Sequence, residues 1–211
     1  MVPYRAGMRL TVHRVPFSTN VERIALAAAF KGIAIDWVDH DAADRGTLRE
    51  RTGQDLVPVL EECDGTLITD SPIILARRET LVPTPALWPA AARERAVADL
   101  FVAWFNRVWK HAPNALADGG PPDPTDAPVL AAELAASRDV FEALLTGRDH
   151  LLSDGFGIAD VVAFPFLQYA VHLAPEDPDD FHRVLHEGLR LGDGYPGLKA
   201  WIARVDARPR A

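Results

Sequence analysis

Between Leu81 and Pro89 the chain changes character, and that change constrains its fold more than any other feature. Three prolines, Pro83, Pro85 and Pro89, fall in this stretch, which reads as a linker. Before it, short extended runs alternate with helical patterns. After it, no strand pattern survives. The order predicts a small α/β unit followed by an all-helical one, with boundaries at 8–80, 81–89 and 90–211. The 211 residues suffice for two small units or one large one. At 48% hydrophobic and 25% charged residues, the chain buries enough apolar surface to fold without a disulfide or metal staple.

In the first part, Arg9 to His13 reads as a strand through Leu10, Thr11 and Val12. Thr19 stands three residues before Glu22, the spacing of a capping box. Val21, Ile24, Ala25, Ala28 and Ala29 then mark a helical face that Gly32 closes. Ile33 to Val38 reads as a second strand, and Asp41 to Gly53 as a loop with one short helix around Leu48. Val57 to Glu61 and Thr66 to Thr69 flank Asp64-Gly65, a two-residue hairpin signal. Ser71-Pro72 opens a third helix, serine as N-cap and proline at the first helical position. In the second part, helices are expected over Ala90 to His111, Val129 to Leu145, Asp179 to Leu191 and Tyr195 to Ala207, with a proline-rich break from Pro113 to Pro128. Ile158 to Leu173 is apolar nearly all round, which marks a buried helix, and Pro165 predicts a kink in it.

Composition excludes several functions. The 22 basic residues against 30 acidic give a net charge of -8, and no basic run exceeds Arg77-Arg78, so nucleic acid is not the expected partner. Cys63, the single cysteine, rules out an intramolecular disulfide framework and a thiolate metal cluster. The apolar stretch ending at Ala174 is interrupted by Asp160, Pro165, Gln168 and His172, and falls short of the ~20 residues a membrane span needs. Met1 to Leu10 has no apolar core like that of a signal peptide. A cytoplasmic protein is expected. The 3 Lys against 19 Arg, with 33 Ala, point to a GC-rich bacterial genome.

Three local features bear on chemistry. Ser18, Thr19 and Asn20 gather at a helix N-terminus, where free amides and the dipole favour negative charge. A hydroxyl there can donate to a bound thiolate; taken alone, these residues read first as caps of the helix. In Leu56-Val57-Pro58-Val59 the proline cannot donate to a ladder and belongs at a strand's start. A cis bond would turn the Val57 backbone toward an extended peptide, whereas an ordinary X-Pro bond is trans. Asp70-Ser71 at the third helix could hold an ammonium and a carboxylate, as an α-amino acid end group requires, or could simply cap.

The order and separation of these features resemble the glutathione transferase superfamily. Pro16-Phe17-Ser18, Arg23-Ile24-Ala25-Leu26 and Lys31-Gly32-Ile33 are similar to its serine-type, phi-like and zeta-like members. Val57-Pro58 resembles its cis-proline loop and Asp70-Ser71 its acidic-serine pair. Gly157-Ile158-Ala159-Asp160 and Tyr195-Pro196-Gly197-Leu198, with Trp201 and Arg208-Pro209, resemble motifs of its helical domain. The resemblance implies an α/β thioredoxin-like N-terminal domain joined to an all-α C-terminal domain. It further implies that Ser18 hydrogen-bonds the glutathione sulfur and that Val57, held by Pro58, pairs its backbone with the cysteinyl unit. Asp70 and Ser71 would take the γ-glutamyl amino and carboxylate groups. Val15 and Phe17 with Trp104 and Val108 of the fourth helix would line the pocket of a hydrophobic electrophile. Trp104 and Val108 are four apart and so share a helical face, as do Phe105 and Trp109; both pairs could instead pack the core.

Glutathione, or a related low-molecular-weight thiol, is thus the expected cosubstrate, with no metal, in a detoxifying homodimer away from membranes and nucleic acid. Arg45, Arg49 and Arg51 are candidates for the glycyl carboxylate. Leu56 stands where many relatives carry a polar residue, and Gly157 where they carry Ser or Thr. Asp160 is expected to accept the Gly157 amide. Cys63 is expected to be passive. His182 and His186, four apart, could ligate a metal but read as solvated helix residues. The alternatives to conjugation are a glutathione-dependent isomerase and a non-catalytic scaffold of the same fold.

Overall fold

Strand β1 (Leu10–Arg14) is an inner strand of a four-stranded sheet of order β2-β1-β3-β4. The computed structural model describes residues 10–117, 119–121, 123–153 and 155–211. Arg9, the residues before it and two positions of the proline-rich break, 118 and 122, lie outside that set, so the expected start of the first domain at residue 8 does too. β1 pairs in parallel with β2 (Ile35–Asp39) and antiparallel with β3 (Val59–Glu61), which forms a hairpin with β4 (Leu67–Thr69). An inner strand can be covered on both faces. Val12 and His13 point to opposite faces, and both are fully buried.

Helix α1 (Thr19–Lys31) is buried along Val21, Ile24, Ala25 and Ala28, and Gly32 closes it with φ 65°. Its N-cap is Ser18, whose hydroxyl accepts from the Val21 amide at 3.4 Å, one residue earlier than the expected Thr19. With the cap at Ser18, Glu22 has no capping-box partner, and its carboxylate pairs with Arg210 at 2.7 Å. A short α2 (Gly46–Thr52) follows, and then α3 (Ser71–Leu81). Here too the cap lies one residue early. Asp70 holds the N-cap position with φ 69°, its carbonyl accepts from Ile73 and Ile74, and Ser71 is already helical.

The chain divides into two units, one ending at Leu87 and including Arg208–Ala211, the other Trp88–Ala207. In the first, Lys31 is buried and its ammonium meets Glu79 at 2.6 Å and the carbonyls of Val82 and Pro85 at 2.6 and 2.8 Å. Glu79 also accepts the Leu87 amide. One buried ion pair thereby fixes the segment after α3, which includes a cis Thr84-Pro85 bond. The last residues belong to this unit: the Ala211 amide donates to the Ala25 carbonyl, and the Trp37 indole donates to the Ala211 carbonyl at 3.0 Å.

The second unit is helical. It comprises α4 (Ala92–Trp104), a wide π turn (Phe105–Trp109), α5 (His111–Ala117), α6 (Ala127–Leu144), α7 (Ile158–Leu167), α8 (Asp180–Leu189) and α9 (Pro196–Asp206). The expected helix over Ala90 to His111 is thus α4 continued by a π turn, and α5 occupies the start of the expected break from Pro113. Every residue of α7 is buried. A methyl at Gly188 would stand 2.4 Å from Leu134 Cδ2, so glycine is what lets α8 lie close to α6. Asp160 gathers three donors: the amides of Leu151 and Gly157 at 3.2 and 2.9 Å, and the Trp201 indole at 2.6 Å. The expected Gly157 contact is among them.

Candidate functional site

The strand register brings the three chemical motifs together within the first unit. His13 of β1 lies opposite Val59 of β3, and Val59 lies opposite Thr69 of β4. Both pairings are antiparallel. The chain leaving β1 (Val15 to Ser18), the chain entering β3 (Val57-Pro58) and the chain leaving β4 (Asp70-Ser71) therefore meet at one end of the sheet. Cys63 lies in the hairpin at the other end of β3 and β4, and is exposed.

Each motif has distinct local geometry. Phe17 and Asp70, with φ of 62° and 69°, are the only described non-glycine residues in the left-handed region, a conformation that costs of order 1 kcal/mol or more and gathers at functional sites. Each immediately precedes a serine at a helix start. Phe17 is exposed and Val15 buried. Ser18 is half-buried, and because its oxygen accepts from the helix, its hydrogen is left to donate. The Val57-Pro58 bond is cis, in accord with the resemblance and against the ordinary X-Pro preference. Leu56 before it is exposed, Val57 half-buried and Pro58 buried.

Ser71 is 1% exposed. Its hydroxyl accepts from Arg23 Nη1 at 3.1 Å and lies 3.4 Å from Asn20 Oδ1, which Arg23 Nη1 also reaches at 3.1 Å. Burial pushes the Arg23 guanidinium down to about 9, against the pull of Asp70, which leaves it cationic at neutral pH. Sequence reasoning gave neither Asn20 nor Arg23 a role in holding Ser71. The one available signal was an arginine inside an otherwise apolar run, Arg23-Ile24-Ala25-Leu26.

Arg45, Arg49 and Arg51 are all engaged: Arg45 with the Asp55 carbonyl, Arg49 with the Asp55 carboxylate at 2.7 Å, and Arg51 in a fork on Glu61. Glu61 in turn lies 3.3 Å from His13 Nε2, whose Nδ1 meets His40 Nε2 at 2.8 Å. Burial holds His40 below the ordinary imidazole value; His13 and Arg51 add to this and Asp39 opposes it. The hydrogen bond from Arg51 likewise holds Glu61 low.

In the second unit, Phe105 and Trp109 stack at 4.4 Å and are buried. Trp104 is half-buried, 6.0 Å from Phe141, whereas Val108 is 60% exposed. These two therefore do not share an environment, whereas Phe105 and Trp109 do; Lys110 donates five residues back to Phe105, closing a π turn. His182 is not a solvated residue. It is buried, stacks on Tyr169 at 4.3 Å and meets Asp177 at 2.7 Å, while His186 meets the Tyr169 carbonyl. Among the described residues, no group of three His, Cys, Asp or Glu side chains is placed to hold a metal ion. No described helix is long and apolar enough to cross a membrane.

A family model described as the glutathione S-transferase N-terminal domain matches residues 12–86, and one for the C-terminal domain matches residues 119–209. No curated protein matches the chain. Among solved structures, a beta-etherase from Sphingobium sp. strain SYK-6 is similar with a TM-score of 0.78 at 18% identity, over 96% of each chain. A glutathione S-transferase domain-containing protein from Marinobacter aquaeolei VT8 is similar at 0.74 and 25%, over 96% of this chain and 98% of that one. A glutathione S-transferase from Methylobacillus flagellatus KT with bound glutathione is similar at 0.74 and 18%, over 92% and 93%.

Proposed function

Because the chain belongs to the glutathione S-transferase superfamily, we propose that it activates the thiol of glutathione, or of a related small thiol, for attack on a hydrophobic electrophile. The observation that carries this reading is the convergence of Ser18, Val57-Pro58 and Asp70-Ser71 at one end of the sheet. Ser18 sits at the start of α1, so a sulfur beside it meets both a hydroxyl donor and the positive end of a helix. Each unit by which the thiol pKa falls is about 1.4 kcal/mol of preference for the thiolate. The backbone of Val57, held by Pro58, pairs with the cysteinyl unit. The exposed Asp70 carboxylate takes the γ-glutamyl ammonium, and Ser71 takes the neighbouring carboxylate. Phe17, exposed beside Ser18, offers apolar contact to the electrophile, and the buried Val15 backs that turn. In the reaction the thiol proton leaves to solvent, sulfur forms a bond to the electrophilic carbon, and the leaving group departs with its electron pair. On family grounds we also propose a cytoplasmic homodimer, which light scattering of the purified protein and fractionation of its source cells check.

Calorimetric titration with glutathione and a panel of small thiols is the test. Saturable binding of one thiol, weakened by Ser71→Ala, is the expected result; binding of none overturns the reading. With a model electrophile, Ser18→Ala is expected to lower turnover about 100-fold, the scale of losing one donor to a reacting anion, while thiol affinity changes by no more than about twofold. Undiminished turnover would remove Ser18 from its role.

A further inference from the structure

Arg23 lies one turn into α1 with none of its surface exposed. Burying a guanidinium costs several kcal/mol unless what it does there offsets the cost, and an apolar residue at this position would continue the buried face of α1. Two of its described contacts run through a single nitrogen, Nη1, to Asn20 Oδ1 and to Ser71 Oγ, each at 3.1 Å. Asn20 is on α1 and Ser71 begins α3, so the guanidinium ties the starts of two helices together.

That contact also sets the chemistry of the Ser71 hydroxyl. A hydroxyl that accepts from a cation has one lone pair committed and its O–H bond polarised, which makes it a stronger donor in one direction. Its hydrogen has Asn20 Oδ1 as a distant acceptor at 3.4 Å, which an incoming carboxylate oxygen would outcompete. The charges are arranged for a zwitterion. Asp70 is exposed at the surface and is the carboxylate whose field acts on Arg23, so a ligand carrying an ammonium and a carboxylate on one carbon meets negative charge on one side and buried positive charge on the other.

We infer that Arg23 is a positioning residue for the carboxylate of the γ-glutamyl group, acting through Ser71 and from behind it. The inference rests on the glutathione reading above. It is tested by titrating wild type, Arg23→Met and Arg23→Lys with glutathione and with 4-aminobutyryl-cysteinylglycine, which lacks only that carboxylate. Arg23→Met is expected to weaken glutathione about 10- to 100-fold, the scale of a hydrogen bond to a charged group. Arg23→Lys should fall between it and wild type, and the analogue should bind all three within about twofold. In a Ser71→Ala background, Arg23→Met should add no more than about twofold, because the two act as one unit. Equal weakening of both ligands would assign Arg23 to scaffolding and overturn the inference alone. Absence of glutathione binding by wild type would overturn the parent reading and this one with it. Should the Arg23 variants fail to fold, Asn20→Ala, which frees one arm of the contact at a half-buried position, should weaken glutathione about two- to fivefold and spare the analogue; no difference between the ligands overturns the inference.

Discussion

The two units are stabilised in different ways. The first buries no Phe, Tyr or Trp among its described residues but buries His13, Arg23, Lys31, Arg78 and Glu79; the second buries Phe101, Phe105, Trp109, Phe141, Phe164, Phe166, Tyr169 and Trp201, with His150, His182 and Asp160 as its buried titratable groups. Aromatic packing is non-directional area removed from water, augmented by edge-to-face contact. Buried charges stabilise only when each is matched, and they hold their partners in fixed geometry. The unit with the candidate site is therefore the one whose interior holds lysine and arginine side chains in directional contacts. A directional interior can aim a hydroxyl; an aromatic one supplies bulk stability.

The largest effect that sharpens this contrast is expected at Phe105, fully buried, stacked on Trp109 and edge-on to Phe166. Phe105→Ala should cost about 4 kcal/mol in urea unfolding and leave glutathione affinity within about twofold; a large loss of affinity would break the division of labour. Next is Lys31→Met, which strands the Glu79 carboxylate beside the Val82–Leu87 segment. It should cost about 3 kcal/mol, part of which Glu79→Leu in the same chain should recover, whereas no recovery would mean that the carbonyl contacts of Lys31 matter more than its charge. The smallest is at Glu62, held below the ordinary glutamate value chiefly by hydrogen bonding to Arg77, with Arg78 assisting. A carboxyl whose folded value is depressed adds stability that is fully present above its unfolded value and is lost as pH falls through the folded one. Acid unfolding followed downward from pH 5 should therefore be shallower in Glu62→Gln than in wild type; identical curves would show that this cluster contributes nothing.

Local signals carried much of this fold into the sequence. Asp64-Gly65 marked the hairpin, and the hairpin brings Pro58 and Asp70 to the same end of the sheet. The prolines after Leu81 marked the passage from mixed to helical structure, although α3 runs through Leu81 itself. What escaped depends on partners distant in sequence. Arg23 meets Ser71, 48 residues away; its own helix shows an arginine amid apolar residues but not the partner. His182 reads as solvated because Tyr169, whose ring stacks on it, belongs to the end of the preceding helical segment. The π turn at Phe105 shifts a backbone hydrogen bond by one residue, a change that leaves apolar spacing intact and so hides from periodicity. Both helix caps were displaced by one residue because Ser, Thr and Asp are nearly equivalent caps by type.

The contacts of Arg210 and Ala211 with Glu22, Ala25 and Trp37 have a consequence for synthesis. Translation at roughly 5–20 residues per second separates α1 from these partners by on the order of ten seconds or more. A nascent first unit must spend that interval with the Trp37 indole and the Glu22 carboxylate served by water. Its hydrogen bonds to Arg210 and Ala211 form only after the whole of Trp88–Ala207 has been made, so the candidate thiol-binding unit is completed after the helical unit that interrupts it rather than before.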